Sequence, residues 1–183
     1  MGGEFLSDEA TAEAPIVRAC VADDLAAIQR IYAHYVLRGT ATFEEVPPGP
    51  DYWRERLQDV TELGLPFLVA DLGGEVLGYA YCTRWRPRPG YRFAAEDSVY
   101  VAPEVLGRGI GSLLLPGLLA GCEAAGIRQV IAVVASGDDA ASLALHRRFG
   151  FKVAGRLVAV GFKFGRWLDT TLMQRSLEAG PMA

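Results

Sequence analysis

The stretch Val99-Tyr100-Val101-Ala102-Pro103-Glu104-Val105-Leu106-Gly107-Arg108-Gly109-Ile110-Gly111-Ser112 decides how this chain folds. An apolar, strand-like run gives way to a short loop with glycine at alternate positions, and an apolar helical pattern follows. This is how a chain aims backbone N–H groups at a phosphate. Glycines let the main chain come close, and the helix N-terminus adds a partial positive charge. Two anion loops do not fit. A nucleotide P-loop needs a Lys-Ser/Thr pair at the helix start, which is absent, and a dinucleotide fingerprint needs a third glycine where Ser112 stands. The plainer alternative is a tight turn that only docks a helix onto a sheet.

Outward from the loop the period of the apolar residues changes several times. Upstream, Ile16–Ala19 reads as a short strand, and Asp23 as the N-cap of a helix with Leu25, Ile28, Tyr32 and Tyr35 on one face. Gly39 stops that helix, Phe43–Pro48 is a loop, and Asp51–Leu63 is a second helix. Phe67–Ala70 and Val76–Cys82 are strands joined through Asp71-Leu72-Gly73-Gly74, a hairpin turn by composition. Trp85–Gly90 is an exposed loop and Arg92–Val101 a strand. The helix opened by Gly107–Ser112 runs to about Ala125, and Pro116 predicts a kink in it. Gln129–Ala135 is a strand, Ala140–Phe149 a helix, and Lys152–Phe162 with Trp167–Arg175 a closing strand pair. The order β-α-α-β-β-β-α-β-α-β-β predicts an α/β fold, a mixed sheet with helices on both faces.

The composition narrows the function classes. The 183 residues suit one domain, and 51% of them are apolar, enough for a core without disulfides or metals. A net charge of −4 and a pI near 5.2 argue against a general nucleic-acid binder. Cys20, Cys82 and Cys122 share no metal-ligand spacing and read as buried thiols in a reducing cytoplasm, with no metal expected. No apolar run reaches the ~20 residues a membrane span needs. Residues 1–14 are small, polar and aperiodic and are expected to form a disordered leader ahead of a domain over 15–178.

The glycine loop resembles the pyrophosphate loop of the GNAT acetyltransferases, Arg/Gln-x-x-Gly-x-Gly/Ala, aligned on Leu106–Gly111 with Leu106 where the family has Arg or Gln. Asp139-Ala140-Ala141-Ser142-Leu143-Ala144-Leu145-His146-Arg147-Arg148-Phe149-Gly150-Phe151 is similar to that family's Asn-x-x-Ala-x-x-x-Tyr-x-x-x-Gly-Phe helix. Phe43-Glu44-Glu45, Trp85–Pro89, Glu96–Val101 and Gly161–Asp169 resemble its phosphinothricin and methionine-sulfoximine N-acetyltransferase branch, over about Ile16 to Leu177. The resemblance implies a splayed GNAT sheet, acetyl-CoA as co-substrate, a small amino-acid-like amine as acceptor, direct attack in a ternary complex, and a homodimer. The aromatic Phe162–Trp167 segment fits such pairing.

An amine is mostly protonated at neutral pH, so the chemistry needs a proton acceptor and a donor for the oxyanion. Glu96 and Asp97 are strand neighbours, so their side chains point to opposite faces and only one can face the acceptor. The sequence alone leaves that choice open; the resemblance picks Glu96 as the base. His146 stands where many family members carry a tyrosine near the CoA sulfur, and an imidazole there could take or give a proton. A structural histidine between Leu143 and Phe149 is the plainer reading.

By the same resemblance, the backbone of Val99, Tyr100 and Val101 should meet the acetyl carbonyl and pantetheine. Gly107, Arg108, Gly109, Ile110, Gly111 and Ser112 should meet the pyrophosphate, and Asp139 and Ser142 the rest of the CoA. Asp139 replaces the family's Asn and lacks its amide donor. For the acceptor, Arg86 and Arg92 offer guanidinium forks suited to a carboxylate or phosphinate. The family's substrate segment falls on Pro89, Gly90 and Tyr91, and Phe43 and Glu44 should wall the pocket. Two other readings stand beside this one: a catalytically silent acetyl-CoA-binding sensor, and an acetyltransferase of protein N-termini or lysines.

Overall fold

The computed structural model describes residues 14–137 and 140–177. The expectations for residues 1–13 and for Asp139 lie outside the described residues. The elements are β1 (Ile16–Ala19), α1 (Leu25–Arg38), α2 (Pro50–Glu62), β2 (Phe67–Leu72), β3 (Glu75–Arg84), β4 (Ala94–Val101), α3 (Ile110–Ala124), β5 (Gln129–Ala135), α4 (Ala140–Arg148), β6 (Lys152–Lys163) and β7 (Arg166–Ser176). Their order is the one read from the sequence.

Three details differ. The acid that anchors the entry to α1 is Asp24, not Asp23: its carboxylate accepts the Val21 N–H at 2.8 Å and two Arg18 N–H groups at 2.7 and 2.8 Å. A single turn of 3-10 helix at Ala22–Asp24 precedes the α-helix and shifts the cap by one residue. Strand β4 starts at Ala94 because Pro89–Tyr91 winds into another 3-10 turn that runs up to Arg92. Helix α3 continues without interruption through Pro116, which sits on its exposed side.

The strands form one sheet in the order β1-β2-β3-β4-β5-β7-β6. Every neighbouring pair is antiparallel except β4 and β5, whose parallel pairing needs the crossover that α3 supplies. That parallel pairing is short. It joins Ala94–Asp97 to Gln129–Ala132 and then stops, while β4 keeps its register with β3 as far as Val101 and β5 its register with β7 as far as Ala135. The sheet therefore splays open from Ser98 and Val133 onward.

Alternation along β3 and β4 sorts the side chains onto two faces. On one, Tyr79 and Tyr81 of β3 stand with Glu96, Ser98 and Tyr100 of β4 beneath α1 and α2. An aromatic cluster closes this side: Trp53 meets Tyr32 and Tyr79 edge-on at 5.3 and 5.7 Å, and Tyr79 stacks on Tyr100 at 5.4 Å. On the other face, Cys82 and Asp97 look toward α3 and α4, where Leu114, Leu115 and Leu118 are completely buried. Each such leucine is worth roughly 1.5–3 kcal/mol of burial, which is what clamps α3 to the sheet.

Candidate active site

The splay opens into a cleft of about 820 Å³. Backbone geometry aims its donors. The Ala102 N–H bonds Leu77 O at 2.8 Å and the Trp85 N–H bonds Ala94 O at 3.1 Å, so the even-numbered residues of β4 turn their backbone groups to β3. The groups of Val99 and Val101 consequently face the gap. The Tyr35 hydroxyl, from α1, donates to the Val101 carbonyl and ties that helix to the open edge.

At the far end stands the glycine loop. Gly107 and Gly109 have φ of +75° and +84°, a backbone region costly for any residue with a Cβ. Gly109 is the N-cap of α3, and its carbonyl accepts the first intrahelical bond from Leu113 at 3.0 Å. The N–H groups of Ile110, Gly111 and Ser112 are left without helical partners, beside the positive end of the helix dipole and with no acid in the first turn. Val99, Tyr100, Val101, Gly107, Gly109, Ile110, Gly111, Ser112 and Ser142 all line the cleft. Arg108 is exposed and is not among the wall residues.

Glu96 and Asp97 enter this cleft from opposite faces of β4, at the residue pair where the strands part. Glu96 is on the side of α1 and α2. Burial pushes its carboxyl above the ordinary glutamate range and the Asp97 charge adds to this, while Arg86 and Arg56 pull the other way.

Asp97 is buried, and its Oδ2 lies 3.0 Å from His146 Nε2. The other ring nitrogen, Nδ1, is 2.7 Å from the Ser142 carbonyl. Both ring nitrogens thus face acceptors, an arrangement that suits the doubly protonated ring. Burial works against the imidazolium, but the bonds to Asp97 and Ser142 outweigh it and hold the His146 pKa above its usual value. The carboxylate that partners His146 lies 49 residues earlier in the chain. No local pattern announces such a pair.

The residues expected to bind the acceptor divide. Phe43 lines the cleft, and its ring occupies the space that a Cβ on Gly161 would need, so the loop after α1 docks on β6 through that glycine. Lys163, almost wholly buried, holds the same loop by donating to the carbonyls of Tyr35, Gly39 and Thr42 at 3.3, 2.9 and 2.8 Å. Glu44, Arg86, Pro89, Gly90, Tyr91 and Arg92 are exposed and stand outside the cleft wall, although Arg86 is near enough to Glu96 to act on its charge. The sequence reading passed over Arg56 of α2. Its neighbour one turn earlier, Tyr52, is the only local signal for it.

A splayed α/β sheet with a glycine loop at a helix start and a carboxylate at the fork defines an acyl-CoA-dependent transferase. The sequence profile of the acetyltransferase (GNAT) domain matches residues 17–172, and the chain belongs to that family. Among its relatives, a phosphinothricin N-acetyltransferase of Alcaligenes faecalis is 56% identical over 164 residues, spanning 90% of this chain and 83% of that protein. The L-methionine sulfoximine/L-methionine sulfone acetyltransferase of Pseudomonas aeruginosa is 43% identical over 156 residues, 85% of this chain and 90% of that one. The crystal structure of a phosphinothricin acetyltransferase from Sinorhizobium meliloti, in complex with acetyl-CoA, superposes with a TM-score of 0.85 at 48% identity, covering 89% of this chain and 88% of that chain. The GNAT fold expected from the glycine loop is thus the fold found, and the chain is an acetyltransferase.

Proposed function

We propose that the protein transfers the acetyl group of acetyl-CoA to the α-amine of a small amino acid of the phosphinothricin or methionine sulfoximine type. The observation that carries this reading is Glu96: a carboxylate of raised pKa at the fork of the sheet, on the face opposite the glycine loop's helix. Acetyl-CoA would lie in the splay, its pyrophosphate against the N–H groups of Gly107–Ser112 and its acetyl carbonyl against the Val99–Val101 edge. The amine arrives from the side of α1 and α2. Glu96 takes its proton, directly or through a water, and the nitrogen attacks the thioester carbon. The tetrahedral oxyanion is held by a backbone N–H of β4, and collapse expels the CoA thiolate.

The His146–Asp97 pair sits on the sulfur side. With both ring nitrogens engaged and its pKa raised, His146 is suited to supply a proton or positive field to the thiolate and unsuited to take one from an ammonium. Relatives at 56% and 43% identity that bear acetyltransferase names support turnover over silent sensing.

The reading includes a homodimer in the cytoplasm. Val153, Val158, Val160, Phe162, Phe164 and Trp167 of the terminal β6–β7 hairpin are each at least half exposed, a concentration of apolar surface of the kind that protomers cover. Three cysteines that remain free, all buried, suit a reducing compartment. The test is CoA thiol release by the purified protein across a panel of free amino acids, their analogues and N-terminal peptides. Turnover of methionine sulfone or phosphinothricin supports the proposal. Release with peptides alone, or with no acceptor, overturns it.

A further inference from the structure

Two arginines act on the Glu96 charge, Arg86 and Arg56, and they are not equivalent to each other or to the neighbouring Arg92. Arg86 lies over the Trp85 ring at 4.2 Å and Arg92 over the Phe93 ring at 4.4 Å, and both are exposed. Water screens such cations heavily. Arg56 is half-buried. One of its terminal nitrogens donates to the Tyr52 hydroxyl at 2.9 Å, and its guanidinium carbon lies 5.2 Å from the Tyr52 ring centre and 5.6 Å from that of Tyr81. Its Nε is buried with no hydrogen-bond partner. No ion pair among the described residues includes it.

A half-buried guanidinium with an orphaned N–H and no counter-ion is costly unless an anion completes it. Tyr81, on which it stacks, is a wall of the cleft and pairs in register with Ser98, two residues from Glu96 on the same face. The position suits one particular anion. Glu96 must reach the acceptor's amine, and in an α-amino acid the carboxylate hangs on the very next carbon. Arg56 stands behind Tyr81 and is not itself a wall residue, but its charge reaches Glu96, and its planar fork matches a carboxylate held beside the base.

We infer that Arg56 receives the α-carboxylate of the acceptor, so that the chain selects amines carrying a neighbouring carboxylate. The inference rests on the acceptor reading above. Arg56 is a binding and specificity residue: it fixes the amine against Glu96 and takes no part in moving the proton. The exposed Arg86 contributes its field at Glu96 only.

The test compares methionine sulfone with its methyl ester, which keeps the amine and loses the negative charge, in wild type, Arg56→Met and Arg56→Lys. Wild type should prefer the acid over the ester by about 10- to 100-fold in kcat/KM, the worth of a charge-assisted bond. Arg56→Met should raise KM for the acid by a similar factor, leave KM for acetyl-CoA near wild type, and abolish the preference of acid over ester. Arg56→Lys should restore part of it. A wild-type acid-to-ester ratio near one overturns the inference without any variant, and so does an Arg56→Met enzyme that keeps the preference. If wild type acetylates no α-amino acid at all, the acceptor reading fails and takes this inference with it.

Discussion

At the scale of single residues, the two carboxylates on β4 have different work. Glu96→Gln keeps shape and hydrogen bonding but removes the proton acceptor proposed above, and kcat should fall by about 10²–10⁴, with acetyl-CoA binding unchanged. Because the folded chain raises the Glu96 pKa, the ionised base is disfavoured in the native state. Wild-type kcat/KM should therefore climb with pH through a value above that of a free glutamate. At neutral pH the Glu96→Gln protein should melt no lower than wild type, a stability that activity forgoes. Asp97 is the opposite case. It is buried against His146, and Asp97→Asn should cost about 3–5 kcal/mol of stability near pH 6, below the raised pKa of His146. A histidine with a raised folded pKa contributes stability that is present below the unfolded value of about 6.5 and lost as pH rises through the folded one. Urea denaturation at pH 6 and pH 9 should show the gap between wild type and Asp97→Asn narrowing at the higher pH. A constant gap would mean that His146 does not change charge between the two pH values.

At the scale of elements, the glycine loop and the helix it opens act as one unit. Gly109 sits at φ +84° as the N-cap of α3, and a β-branched side chain is strained there. Gly109→Val should rotate the N–H groups of Ile110–Ser112 away from their common focus and raise KM for acetyl-CoA at least about tenfold, from a strain of roughly 1–3 kcal/mol. KM for the amine should move little; an unchanged acetyl-CoA KM would remove the loop from the binding site. The β6–β7 hairpin shows how an element can be legible while its detail is not. Lys152–Phe162 reads as a strand from the sequence, yet the register of β6 with β7 shifts twice, and Ala159 adopts φ +51°. The Asp169 carboxylate stabilises that bulge by accepting the Ala159 N–H at 2.8 Å and the Arg156 guanidinium. Residues 10 apart in sequence become neighbours only once the hairpin closes.

At the scale of the whole molecule, the homodimer proposed above would use the exposed face of that hairpin. Phe162 and Trp167 pack against each other at 5.1 Å between ring centres, and Val158 is 75% and Trp167 67% exposed. If two copies bury this face, the double substitution Val158→Glu with Trp167→Glu should shift sedimentation from dimer to monomer. Both positions are surface positions outside the cleft wall, so the monomer should stay folded. A wild-type protein that sediments as a monomer across working concentrations would overturn the dimer.

What the sequence determined alone was the part of the molecule encoded by local pattern. Hydrophobic period, glycine spacing and turn composition are short-range signals, and they yielded the element order, the α/β class, the glycine loop that opens α3 and the opposite facing of Glu96 and Asp97. Tertiary structure decided whatever depends on residues far apart in the chain. The fork between β4 and β5 exists because β5 leaves β4 after Ala132 while remaining bonded to β7, a competition that no single segment encodes. The same holds for the Asp97–His146 pair, for the Lys163 ammonium bridging one carbonyl of α1 and two of the loop after it, and for Arg56 standing by Tyr81, its charge felt by Glu96. Charged side chains read as surface in a linear pattern. Burial, which raises the energetic stake of a charge and so makes it functional, is a property of the packed fold.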